Sequence, residues 1–229
     1  MHMKRSTSLI IPALNEAETI AHVLEELPPG WASEVIVVDG GSTDGTAAIA
    51  EAKGANLVRE LQRGYGRACA AGVSAAWGEV VNFMDADGAD DPRYIPQLLE
   101  PILNGEAEMM LGSRLAGGIA SGAMLWHQRM GNQISAGMIS RLYGLPLTDL
   151  SPFRAVVREK LLALDILDMS YGYPTEMIVR AIRQGWRIQE VPVDYRVRAG
   201  GKSKISGTLR GTVGATYHIL TTILRYARG

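Results

Sequence analysis

Residues 81–92 read VNFMDADGADDP. Four aspartates, Asp85, Asp87, Asp90 and Asp91, fall within seven residues, directly after an apolar, strand-like run. Carboxylates so close repel one another, so either water screens them or a cation holds them. On an extended chain, residues i and i+2 point the same way. If the strand continues through Asp85 and Asp87, their carboxylates converge. Oxygen-only ligands suit Mg²⁺ or Mn²⁺, and no His or Cys lies nearby to favour zinc. Mg²⁺ takes few protein carboxylates and completes its shell with water and substrate phosphates, so a cation here predicts a phosphorylated ligand. Alone, Asp-X-Asp is a weak signal, because surface turns are rich in such acids. The glycine and final glutamate spacing of an EF-hand calcium loop is missing.

The elements that must position these acids alternate. SLIIPA (8–13) reads as a buried strand stopped by Pro12. Ile20, Val23, Leu24 and Leu27 then fall on one face of a helix that Asn15 is placed to cap. EVIVVD is a second strand, ending at Asp39 in a glycine-rich turn. TAAIAEA is a helix with Gly54 as its stop, and NLVREL a short strand. GYGRACAAG (64–72) opens a small-residue helix. EVVNFMDAD is a further strand, PRYIPQLLEPILNG a helix with Pro92 near its first turn, and AEMMLGSR another strand. Such alternation predicts an α/β chain with an open, mostly parallel, Rossmann-like sheet flanked by helices. Ligands of these sheets bind beyond the carboxyl ends of the strands, where PALNE, DGGSTDGT and DADGADDP all lie. The second half is less regular. It holds helices near 124–143 and 175–184, a strand pair near 186–197 and a helix after Gly207.

IPALNE, VDGGSTDGT, GYGRACAAG and MDADGADDP occur in this order and at these intervals. Together they resemble the family-2 inverting glycosyltransferases, which have a GT-A nucleotide-sugar fold. GSR (112–114), TDLSPFRA (148–155) and RAGGKSK (198–204) narrow the resemblance to the branch typified by dolichyl-phosphate mannose synthases and bacterial polyprenyl-phosphate glycosyltransferases. The resemblance covers nearly the whole chain. It implies one GT-A domain over residues 1–229, with a nucleotide-sugar half to about 115, an acceptor-side half from about 116 to 205, and a C-terminal amphipathic helix from about 206.

The resemblance also implies roles. Pro12, Ala13, Asn15 and Glu16 would floor the base and ribose, and Asp39 would face them. Asp44 organises its turn. Gly66 would let the backbone approach the nucleotide, with Arg67 and Ala86 close by. Asp87 is the metal ligand, Asp85 faces metal or ribose, and Asp90 or a water fills the place of a Gln that the mannose-synthase pattern carries where this chain has Ala89. Arg114, Arg198 and Lys204 match positions that meet phosphates. Asp149 is an acceptor-side acid, and the base if the acceptor is an alcohol. Pro152 replaces a common Gly. Glu176 contacts the donor sugar or acceptor, or else complements its helix dipole.

The expected reaction moves a hexose from a nucleotide sugar to a polyprenyl- or dolichyl-phosphate-type lipid, with Mg²⁺ or Mn²⁺. UDP is favoured over GDP because the Gln is missing. The alternatives are the same donor chemistry on a hydroxyl of a glycolipid, polysaccharide or protein, and a nucleotide-sugar-binding module without turnover. Neither a Walker loop nor a dinucleotide glycine fingerprint is present.

Composition sets bounds. A chain of 229 residues with one Cys has no internal disulfide. The net charge of −1 hides an asymmetry: residues 179–229 carry ten Lys/Arg against Glu190 and Asp194, which implies an anionic partner. Basic residues without interleaved aromatics argue against nucleic acid. No apolar run is long enough to span a bilayer, so the expectation is a cytoplasmic chain, either free or peripheral on the membrane. Val213, Tyr217, Leu220 and Leu224 lie at helical spacing. That face would lie on a membrane interface, or pack on the catalytic domain or across a homodimer.

Overall fold

The computed structural model describes residues 6–200 and 209–227. Its centre is one seven-stranded sheet made of β1 (Thr7–Ala13), β2 (Glu34–Asp39), β3 (Asn56–Arg59), β4 (Val80–Phe83), β5 (Met109–Ser113), β6 (Arg154–Val157) and β7 (Ile188–Pro192). The order is β3-β2-β1-β4-β6-β5-β7. All neighbours pair in parallel except β6, which runs antiparallel to both β4 and β5. The helices are α1 (Ile20–Glu25), α2 (Thr46–Ala52), α3 (Tyr65–Ala75), α4 (Ile95–Leu103), α5 (Trp126–Tyr143), α6 (Arg158–Leu162), α7 (Tyr173–Arg183) and α8 (Leu209–Ala227).

A parallel sheet is buried on both faces, so its strands are apolar throughout. Period-two alternation then divides them. Leu9, Ile11 and Ala13 enter one core with α1, α2 and α4. Ile10, Ile36 and Val38 enter the other with α3, α5, α6, α7 and α8. Adjacent Met109 and Met110 are both buried, one in each core. The two sequence halves are interleaved, because β6 from the second half inserts between β4 and β5.

Three expectations need correction. Pro12 does not stop β1; it sits within the strand opposite Val38. The Ile10 carbonyl accepts from the Met84 amide, so residues 10 and 12 both face β4. Because β4 ends at Phe83, the missing N–H of Pro12 breaks no ladder bond. Asn15 does not cap α1. It adopts φ +49°, a left-handed conformation that Asn tolerates, and its Oδ1 accepts from the Thr43 amide at 2.8 Å. The 186–197 strand pair is one strand, β7, running parallel to β5. β6 and α6, within SPFRAVVREKLL, had no periodic signal long enough to expose them.

β5 and β7 are also joined at their edge by charge. Glu108 accepts from the Arg187 amide at 2.6 Å and from its guanidinium at 2.7 Å. Arg187 bonding holds the Glu108 carboxyl well below its ordinary 4.5, at about 2. A depressed carboxylate pKa stabilises the fold above the unfolded value and loses that contribution as pH falls. Glu108→Gln should therefore cost about 1 kcal/mol at pH 7, given the exposed arginine. The gap to wild type should close between pH 4.5 and pH 2, which urea denaturation across that range will measure.

Candidate active site

The carboxyl ends of β1, β2, β4 and β5 form one rim. After β1, residues 15–17 lock onto the turn after β2: the Glu16 amide donates to Thr46 Oγ1 at 2.8 Å, and the Ala17 amide to Asp44 Oδ2 at 3.1 Å. Asp44 also takes the Thr46 amide and hydroxyl, so it does organise its turn. Asp39 is buried at the end of β2 and accepts from the Ser42 amide.

β4 ends at Phe83, before the aspartates, so the extended-chain argument for Asp85 and Asp87 does not apply. They converge in a turn instead. The Asp85 amide donates to Asp90 Oδ2 at 3.2 Å, and the Ala89 amide to Asp87 Oδ1 at 2.9 Å. Burial and the Asp87 charge push Asp85 up to about 7, against the pull of the Tyr65 hydroxyl bond and two arginines. Burial and the charges of Asp85 and Asp87 raise Asp90 well above the carboxylate range. Asp90 Oδ1 is buried without a hydrogen-bond partner. Among the described residues no three His, Cys, Asp or Glu side chains are arranged to hold a metal ion. The expected three-carboxylate set is therefore not preassembled, because Asp90 turns one oxygen to the Asp85 amide.

Residues 194–199 leave β7 and lie as a strap over this turn. The Arg196 amide donates to the Ala89 carbonyl at 2.8 Å, and the Ala199 amide to the Asp87 carbonyl at 3.0 Å. The strap delivers Arg198, whose Nη1 reaches Asp87 Oδ2 at 2.9 Å and whose Nη2 reaches Glu16 Oε1 at 3.3 Å. Arg196 lies on the outer side, bridging Asp91 and Glu26.

Beside the aspartates opens a cavity of about 480 Å³, within the usual range for a small-molecule site. Tyr65, Asp85, Arg114, Tyr195 and Arg198 make its polar end. Leu125, Leu150, Pro152, Ala215 and Ile219 are among its apolar walls. Among the described residues, Asp85 is the only carboxylate in the lining. α5 and α8 form part of the wall and touch closely, since a Cβ on Gly131 would meet Thr216 Oγ1 at 2.5 Å.

Residues 8–164 match the family described as Glycosyl transferase family 2. The chain belongs to this family. It is 39% identical over 208 residues to an uncharacterised glycosyltransferase of Mycobacterium tuberculosis, spanning 91% of this chain and 93% of the relative. It is 36% identical over 221 residues to the undecaprenyl-phosphate mannosyltransferase of Micrococcus luteus, with 88% of each covered. Among solved structures it is similar to glucosyl-3-phosphoglycerate synthase from M. tuberculosis in complex with Mn²⁺, UDP-glucose and phosphoglyceric acid. The TM-score is 0.79 and the identity 26%, over 97% of this chain and 80% of that one. The protein is thus a glycosyltransferase that uses a nucleotide sugar, on a GT-A fold.

In this glycosyltransferase, Asn15, Glu16, Asp39, Asp85, Ala86, Asp87, Asp90, Arg114 and Arg198 all gather at the rim. Pro12 and Ala13 lie beneath it in β1. Others are placed differently. Gly66 does not present backbone to a nucleotide. Its amide donates to the Ser170 carbonyl at 3.2 Å, and a Cβ there would meet Met169 and Tyr173 at 2.7 Å. The Arg67 amide donates to the Met169 carbonyl. The glycine permits close protein packing. Glu176 is fully buried and away from the cavity lining. It accepts from the Leu167 and Asp168 amides, Arg180 Nε and the Tyr226 hydroxyl, tying α7 to α8. Lys204 lies outside the described residues.

Asp149 is corrected too. Arg114 donates to it from its amide and Nε at 2.8 Å and from Nη2 at 2.9 Å, and Asn132 Nδ2 adds a further bond. Burial would raise its carboxyl, but Arg114 and Asn132 hold it below the ordinary value. Fully buried and bonded on both oxygens, Asp149 orients Arg114 and is not poised as a base. Sequence reading missed Asn132, Tyr195 and Glu190. Asn132 also accepts from the Leu150 amide, and Tyr195 stacks under Arg114 at 5.0 Å. Glu190 takes the Thr148 and Asp149 amides. Asp149→Ala strands a buried guanidinium, so it should cost about 3–5 kcal/mol in urea unfolding. A dedicated base would instead lose turnover with its stability intact.

Proposed function

We propose that this glycosyltransferase transfers a hexose from a UDP-sugar, with a divalent cation, to a lipid-linked phosphate acceptor, with inversion at the anomeric carbon. The observation that carries this is the chemistry of the cavity. It has two arginines at one end and apolar walls, and among the described residues its lining holds no histidine and one carboxylate, Asp85, which this reading assigns to the cation. A phosphate oxygen is already anionic near neutral pH and needs no base. The Micrococcus relative is named for a prenyl-phosphate acceptor, and the M. tuberculosis synthase is crystallised with UDP-glucose and Mn²⁺.

The residues fit a divalent cation. Only oxygen donors converge at Asp85, Asp87 and Asp90, and one Asp90 oxygen is buried without a partner. Asp87 and Asp85 would hold the ion, with Asp90 behind them. Bound there, it supplies Lewis-acid stabilisation of the donor diphosphate. Glu16 and Asp39 sit where ribose hydroxyls would be read. As the glycosidic bond breaks, negative charge gathers on the leaving diphosphate, and Arg198 faces it from the strap. Its present contacts with Asp87 and Glu16 make it a cation that can turn from carboxylates to phosphate without leaving the site. Arg114, aimed by Asp149 and Tyr195, meets the acceptor phosphate.

The acceptor end has a face suited to lipid. On α5, Trp126, Met130 and Ile134 are exposed at i, i+4 and i+8; on α8, Val213 and Tyr217 are exposed. Neither helix holds an acidic residue, and none occurs between residues 115 and 147. No described helix is long and apolar enough to cross a membrane. The face therefore fits the surface of an anionic bilayer rather than its interior. A small phosphorylated acceptor is the second reading, because the structural relative is crystallised with phosphoglyceric acid.

The test offers UDP-glucose or GDP-mannose, with Mn²⁺, to geranyl phosphate, geraniol and 3-phosphoglycerate, and identifies products by mass. Transfer to geranyl phosphate from the UDP donor is expected, with a loss of at least 10³-fold in Asp87→Ala. Transfer to geraniol alone would sink the phosphate reading, and transfer to 3-phosphoglycerate alone would replace the lipid. Separately, Trp126→Asp with Met130→Asp should abolish sedimentation with phosphatidylglycerol vesicles while sparing turnover of geranyl phosphate in solution.

A further inference from the structure

Arg154 is the largest fully buried side chain among the described residues, and it lies on β6 facing the core shared by α3 and α7. Its register neighbours Phe83 and Leu111 and its strand-mate Val156 are apolar and buried. A residue serving that core alone would be apolar as well. Burial disfavours the charge, yet an arginine keeps it. No carboxylate lies within ion-pair distance among the described residues. Among the described residues, every bond of its guanidinium goes to a backbone carbonyl: Nη2 to Ser151, Nε to Pro152 at 3.3 Å and Nη1 to Pro174 at 2.9 Å.

Those carbonyls belong to two separate walls of the cavity. Leu150 and Pro152 line it from the loop before β6, and Tyr171 and Pro174 line it from the start of α7. Neither Pro152 nor Pro174 has an N–H with which to fix its wall through backbone pairing. The planar fork of a guanidinium can bind both walls at once; the single ammonium of lysine cannot reproduce it. Behind the fork lies only a small void, lined by Tyr65, Cys69 and Tyr173 among others, so the walls are not held apart by bulk alone.

We propose that Arg154 is a positioning residue for the acceptor: it clasps the 150–152 loop to the start of α7 and so sets the width of the acceptor end of the cavity. The assignment of that end to the acceptor rests on the function proposed above, while the clasp itself does not. Arg154→Met keeps the volume and removes the fork, and Arg154→Lys keeps the charge and most of the reach.

Two readouts test it. Hydrogen exchange at the amides of Ser151, Phe153, Thr175 and Glu176 should quicken at least tenfold in Arg154→Met and less in Arg154→Lys, with β1 and β4 unchanged. In steady-state transfer to geranyl phosphate, KM for the acceptor should rise tenfold or more in Arg154→Met, with donor KM within twofold and partial recovery in Arg154→Lys. Unchanged exchange at both walls overturns the clasp. A parallel rise in both KM values, or loss of UDP binding in both variants, makes Arg154 a requirement of the fold and overturns positioning. If wild type turns over no geranyl phosphate, the lipid-phosphate reading fails, and the exchange data still decide the clasp.

Discussion

Negative charge crowded at the end of a buried strand is the constraint to which the rest of the site answers. Asp85, Asp87, Asp90 and Asp91 leave β4 together, and three of them are almost completely buried. Like charges in a poorly solvated turn are tolerable only if cations and donors surround them. Each neighbouring element supplies one. The strap after β7 brings Arg196 to Asp91 and Arg198 to Asp87. Arg114 directly follows β5, and α3 begins with Tyr65, whose hydroxyl donates to Asp85. The strap's two backbone bonds to this turn, at Asp87 and Ala89, keep those cations in register. The same charge that threatens the fold thus recruits the groups that a diphosphate would need.

Much of this was legible in the residues. Apolar strands and short joints announced the sheet, and the acids at the strand ends announced the rim. The order of short motifs carried the family. What stayed hidden depended on contacts between distant segments. Asp149 looked like a free acid because nothing in TDLSPFR shows that Arg114 and Asn132 close on it. Glu176 looked like a ligand because an acid in the first turn of a helix reads the same whether it faces solvent or the Tyr226 hydroxyl. Gly66 looked like a nucleotide contact because glycine signals close approach without saying to what. β6 was missed because four residues between two neighbours give no alternation to read, and its antiparallel direction is set by tertiary pairing alone.

The cavity also shows how burial distributes chemistry within one chamber. Its polar end is rigid: Arg114 is held at three points by Asp149 and lies over Tyr195. Its outer end is built from helices that lack acids and expose large apolar side chains. A ligand with a charged head and an apolar tail would find its solvation requirements met in order along the chamber. The surface outside continues the same gradient.

β6 has a consequence for how such enzymes diversify. Because it runs against its neighbours, its first residue, Arg154, lies beside Phe83 at the end of β4 and Leu111 near the end of β5. The chain can therefore leave the rim after β5, wander through residues 114–153, and re-enter at the same rim. Strand register fixes both ends of that excursion, and neither end depends on its length. Insertions or deletions within it would reshape the cavity wall while the pairing of β1 to β4 stayed as it is. The antiparallel strand thus acts as a socket, into which segments of different sizes can be fitted.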